Sequence, residues 1–233
     1  MKSPSIRLLT RVGLAAAMLL IAGFVMAHGV ADRDAMFLEQ NPGRALLAFM
    51  YLGAKHMFTG YDHLLYLAGV IFFLYQTRDI ALYVTLFAVG HSVTLLAGVL
   101  GEINVNVYIV DAIIGLSVVY KAFENLDGFK KFFGRQPNPK IAVFFFGLAH
   151  GFGLATKLQA LTLSKEGLIA NIISFNVGVE LGQLMALAIL LILINTWRST
   201  GGFSRHATTF NFTLMFAGFL LTYYQMAGFF FAA

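Results

Sequence analysis

Histidine, carboxylate and amide side chains stand inside otherwise apolar runs of this chain. His56, Asp62 and His63 fall in one run. His91, Ser92 and Thr94 fall in the next, and Asp111, Ser117 and Glu124 in a third. His150 lies in a fourth, and Asn176, Glu180 and Gln183 in a fifth. Ionisable groups inside hydrophobic segments are costly, turn to the bundle interior and mark ion paths or reaction sites. Imidazole nitrogen and carboxylate oxygen bind Ni²⁺, Co²⁺, Zn²⁺, Fe²⁺ and Cu²⁺. Neutral imidazoles replace the ion's water, and carboxylates supply counter-charge. His56 and His63 are seven residues apart, two helical turns, so they share a face with Thr59 if one helix runs through them. Asp62 can instead hold a ligating imidazole by its second nitrogen. One histidine in such a helix is more often a packing residue than a ligand. Several at one depth point to a metal. The expected set is His56, Asp62, His63, His91, His150 and Glu180, with Asp111, Asn176 and His28 as secondary candidates.

The elements that must position these groups follow from composition. The 233 residues are 59% hydrophobic and only 12% charged, with no cysteine. A soluble domain carries roughly 25% charged residues, so the chain reads as a polytopic, all-α membrane helix bundle. The absence of cysteine excludes disulfides, thiolate ligands and Fe–S clusters. The net charge of +5 reads as membrane topology, not nucleic-acid binding.

A basic start (Lys2, Arg7, Arg11), an apolar stretch and Val25-Met26-Ala27 predict a signal peptide over 1–27. Cleavage there would leave His28 as the first residue, able to chelate through its amine and imidazole. Residues 28–43 read as a periplasmic lead-in, and 44–233 as the transmembrane domain. Six spans of about 20 residues are expected near 58–76, 79–101, 105–125, 139–158, 170–196 and 207–231. A break is expected near Thr59-Gly60, with 44–57 a shorter leading helix at the outer interface and 162–172 a short interfacial helix. At 1.5 Å per residue, His63, His91, His150 and Glu180 stand about 20, 18, 17 and 24 Å from the inner ends of their spans. They share one layer. Arg78, Lys121, Lys130, Lys131, Arg135, Lys140, Arg198 and Arg205 fall on one side of six spans. The positive-inside rule then puts both mature termini in the periplasm of a bacterial inner membrane.

Gly178 and Gly182 have the G-x-x-x-G spacing of close helix approach. Blander roles are open for several polar residues. Asp62 and Asp111 suit helix starts, and Lys121 can pair with Glu124 at a span's inner end.

The run from His56 to His63 has the pattern H-x5-D-H. With Gly90-His91-Ser92, Val110-Asp111, Phe123-Glu124-Asn125, Gly147 to Gly153 and Phe175 to Gln183, it resembles the HupE/UreJ family over roughly residues 45–230. The resemblance implies six membrane helices, a cleaved signal peptide and, in the better-known members, nickel uptake. Those members carry a second motif, F-H-G-x-[A/V]-H-G-x-E. Here Phe146 replaces its first histidine and Gly153 its glutamate.

The leading expectation is a divalent transition-metal permease, nickel- or cobalt-like, with the ion as its partner in the bilayer. The alternatives are an intramembrane metalloenzyme with Zn, Fe or Cu acting on a membrane substrate, and an accessory or metal-sensing subunit of a membrane complex. A membrane-protein partner or a homo-oligomer fits the short loops.

Overall fold

A computed structural model describes residues 43–159 and 166–231, and among these residues the chain is all helical. The helices are α1 (Leu46–Thr59), α2 (Tyr61–Ile71), α3 (Thr77–Leu100), α4 (Val107–Asn125), α5 (Gly128–Phe133), α6 (Pro139–Gln159), α7 (Leu168–Arg198) and α8 (Gly202–Phe231). The expected signal segment, residues 28–42 of the lead-in, His28 and residues 160–165 lie outside the described residues.

α3, α6, α7 and α8 are long and apolar enough to cross a membrane. α4 has 19 residues but carries Asp111, Lys121 and Glu124. α1 and α2, of 14 and 11 residues, are separated by Gly60. The outward surface is greasy: Leu181, Leu184, Met185 and Ile192 of α7 are exposed, as are Phe212, Phe216 and Phe219 of α8. Contiguous apolar surface of this kind marks contact with lipid or protein. The chain is a membrane protein.

Lipid tails are as apolar as leucine, so helices inside a bilayer associate by close packing at small residues. Three such seams dominate. In the first, a Cβ on Gly178 would collide with the Met50 carbonyl, and one on Gly182 with Ala54. This places α1 alongside α7 and parallel to it. In the second, Gly90 meets the backbone of Phe144 and Leu148, Gly147 meets Phe87, and Gly151 meets His91. α3 and α6 are therefore parallel as well. In the third, Gly218 lies against Gly115 and Val119, and Gly228 against Tyr108, so α4 and α8 are antiparallel. The helix expected over 44–57 is present as α1, and the Gly178/Gly182 groove packs it along α7.

The two ends of the bundle are tied differently. At the near end, where α1 begins, Asn171 accepts from the Ala45 N–H and donates to the Gly43 carbonyl. At the far end, where α2 stops, Arg198 donates to the carbonyls of Ile71 and Phe72, the first of which also accepts from the Leu74 N–H. Phe72 stacks there on Phe210 at 4.6 Å.

Candidate metal centre

The centre begins at Gly60. Its backbone is extended (φ −72°, ψ 105°) and interrupts what would otherwise be one helix. α1 closes with the Gly60 N–H donating to the His56 carbonyl at 2.9 Å, and α2 reopens with Leu64 N–H donating to Gly60 at 3.0 Å. A Cβ at Gly60 would stand 2.7 Å from His63 Nδ1 and 3.0 Å from Asp62 Oδ1. Only glycine leaves that space. In an unbroken helix His56 and His63 would be separated by about 10.5 Å of rise; here their ring centroids are 5.0 Å apart.

His63 is the hub. Its ring lies 4.6 Å from His150 and 6.3 Å from His91, edge-on to both. The α3–α6 seam sets these two: Gly151 follows His150 and packs on the His91 carbonyl, while Thr94 donates across the seam to the Leu148 carbonyl at 2.7 Å. His63, His91 and His150 are buried, and His56 is half-buried. Phe87 faces His150 at 4.9 Å and Tyr66 does so at 5.7 Å, so the rings sit against an aromatic wall.

Asp62 orients the hub. Its Oδ1 accepts from the His63 backbone N–H and lies 2.9 Å from Nδ1. That contact assigns the ring proton to Nδ1 and leaves the Nε2 lone pair directed elsewhere, the carboxylate–histidine arrangement that raises ligand basicity at metal sites. One ligand atom each from Asp62, His63 and His150 lies within 4.8 Å of the others. Two atoms about 2.1 Å from one ion are at most about 4.2 Å apart, so a small side-chain shift closes this group on a cation.

Five imidazole nitrogens at this one place have no hydrogen-bond partner among the described residues: His56 Nε2, His63 Nε2, both nitrogens of His91, and His150 Nδ1. Buried polar atoms are almost always paired, and each orphan costs about 1–3 kcal/mol. His150 Nε2 has only Ser117 Oγ, at 3.5 Å. One nitrogen of a neutral His91 carries the ring proton, so these five atoms offer four lone pairs at most, and lone pairs gathered without protein donors to match are what a cation site requires.

The other sequence candidates stand elsewhere. Glu180 is exposed. At 100° per residue it lies opposite Gly178 and Gly182, whose face is committed to α1, so the structure does not bring it to the histidines. Asn176 donates to Ser92 Oγ at 2.7 Å, and its Oδ1 is unpartnered among the described residues. Asp111 is bound by Lys157, with Nζ at 2.8 and 3.1 Å from its two oxygens. Asn106, not Asp111, caps α4 by accepting from Ile109 N–H. Phe146, where the permease motif has histidine, packs on Tyr66 and Tyr120. At Gly153, a Cβ would touch Val110 and Ile114 at 3.2 Å and Asp111 Oδ1 at 3.4 Å; a carboxylate is there, but α4 supplies it. Lys157 is legible in sequence as a neighbour of the site through its two-turn spacing from His150. Nothing in the sequence marks Tyr66.

No curated protein and no solved structure matches the chain. A family model described as HupE / UreJ protein matches residues 32–233, which spans the broken α1–α2 pair with its H-x5-D-H run and every helix that carries a histidine of the cluster. The chain belongs to the HupE/UreJ family.

Proposed function

We propose that the protein is a permease for a divalent transition-metal ion, with His63 as its central ligand and His150, His56 and His91 around it. The observation that carries this reading is the set of five unpartnered imidazole nitrogens gathered round His63. Asp62 supplies both orientation and negative charge. Nickel or cobalt is the expected cargo, on the family's account. The polypeptide crosses the membrane six times on this reading: α1 with α2 as one interrupted crossing, then α3, α4, α6, α7 and α8. The far end carries Arg78, Lys130, Lys131, Arg135, Lys140, Arg198 and Arg205 and faces the cytoplasm of a bacterial inner membrane. The near end, with the mature N-terminus, faces the periplasm. Residues 1–27 are removed as a signal peptide.

Proteoliposomes containing a metal-quenched dye test the reading. Ni²⁺, Co²⁺ and Zn²⁺, each offered alone, should enter wild-type vesicles faster than empty ones, and His63→Ala should abolish the difference. Vesicles no more permeable than protein-free controls to all three ions would refute it.

One observation favours a second reading, an intramembrane metalloenzyme. A cavity of about 10 Å³, room for one water-sized sphere, adjoins His63 and is lined also by Tyr66, Tyr83, Phe87 and Gln183. A tightly held metal with a water in such a place could do catalysis. Stoichiometric metal that survives purification and dialysis would favour this reading over the permease.

A further inference from the structure

Two lysine–carboxylate pairs, each with its carboxylate on α4, bracket the histidines. Ser117 marks the level of the cluster, through its contact with His150. Asp111, six residues toward the near end, lies about 9 Å along α4 from that level and is held by Lys157 of α6. Lys157 is itself two turns beyond His150, on the same face. In the other direction Lys121 lies one turn beyond Ser117, and its Nζ is 3.1 Å from Glu124 Oε2. Both of these side chains are only 9% exposed.

Stability does not explain the Lys121–Glu124 pair, because a buried ion pair loses so much hydration that an apolar replacement is often neutral or better. The other pair is buried on its Asp111 side alone, at 10% exposure against 45% for Lys157, and charges within a greasy bundle mark ion paths. Both pairs lie next to the helices that carry the cluster. Asp111 Oδ1 sits against Gly153 of α6, about one turn from His150. On the far side the Lys121 side chain sits against Gly69 of α2, the helix that carries His63. The water-sized cavity beside His63 is lined also by Tyr66 and Val70 of α2.

We propose that Asp111 and Glu124 are cation stations on the near and far approaches to the histidines, each closed by a lysine ammonium that the travelling ion displaces. This inference rests on the permease reading. A divalent ion carries twice the charge of the ammonium, so it competes well for the carboxylate. The freed Lys157 swings outward into the space it already half occupies, since its side chain is 45% exposed. The ion then passes from Asp111 to the imidazoles, and Lys157 returns behind it. Lys121 and Glu124 repeat the exchange on the way out. Each lysine keeps its carboxylate neutralised between passages, and a monovalent ion gains nothing by replacing it.

The two partners of the outer pair should therefore have opposite effects on transport. In vesicles that take up the ion, Asp111→Asn should raise the half-saturating concentration by about tenfold or more, and Lys157→Met should lower it. A merely structural pair would be damaged the same way by both changes. A second readout needs no transport. The chain has no cysteine, so Ser117→Cys places a single thiol beside His150. With a membrane-impermeant thiol reagent, Asp111→Asn or Lys157→Met should speed labelling from the near side only, and Glu124→Gln or Lys121→Met from the far side only. Parallel shifts of half-saturation in both outer variants, or labelling rates indifferent to all four changes, would overturn the stations. Loss of wild-type uptake with side-specific labelling intact would instead sink the permease reading alone.

Discussion

At the scale of single residues, the centre is set by how His63 is held. Asp62 fixes its tautomer from one side, and Gly60 leaves the space in which that contact forms. Changing the partner of a ligating histidine typically costs 10–100-fold in metal affinity. Asp62→Asn should weaken Ni²⁺ binding by about that factor in equilibrium dialysis of the detergent-purified protein, while His63→Ala removes it. Gly60→Ala should behave like Asp62→Asn, because the added methyl pushes on the same two atoms. An unchanged affinity in both Asp62→Asn and Gly60→Ala would show that the contact is incidental. The histidines were legible in sequence because each is a polar group in an apolar run, and the rise of a helix gives its depth. Direction round the helix axis is not given by depth. Glu180 sits at a suitable depth, yet faces outward because Gly178 and Gly182 claim the opposite side of α7. The glycine spacing contained that information, and reading it as a helix face would have removed Glu180 from the set.

At the scale of elements, glycine seams take the place that apolar burial holds in water. Where a Cβ would strike backbone there is no flexible side chain to yield. Gly178→Ala should therefore destabilise by at least the 1–3 kcal/mol usual for overpacking. Gly201→Ala, with nothing within 4 Å, should be nearly neutral. Thermal unfolding in one detergent compares them, and equal melting temperatures would contradict the seam. The break at Thr59-Gly60 was expected from the length of the apolar stretch. The depth to which α1 enters the bundle was not, since 14 residues look too short to pack inside until α7 is seen to offer a groove. The six-residue α5, started by Asp127 in the left-handed region (φ 57°), was not foreseen either: its GFKKFF run is too short for a helical period to show.

At the scale of the molecule, the candidate centre draws its imidazoles from α1, α2, α3 and α6 together. Protons and metal compete for the same imidazole lone pairs, because metal binds the neutral ring and a protonated ring must lose its proton first. Lowering the pH adds protons to free imidazole, so it favours the unbound form. Uptake should therefore fall on acidification when initial rates are followed in vesicles with equal pH on both faces. Rates that rise on acidification would point to proton-driven movement in place of simple competition.

The helices meet most closely within three partnerships, α1 with α7, α3 with α6 and α4 with α8, and more sparsely between them. The imidazoles come from α1, α2, α3 and α6, so they lie between these partnerships, and on the permease reading loading and unloading the ion means articulation there with each partnership left intact. Tethers should discriminate between the two. A flexible bis-thiol cross-linker joining cysteines at positions 66 and 146, whose native side chains meet across α2 and α6, should arrest traffic. One joining positions 112 and 222, where Thr222 already reaches the Ala112 carbonyl, should pass unnoticed.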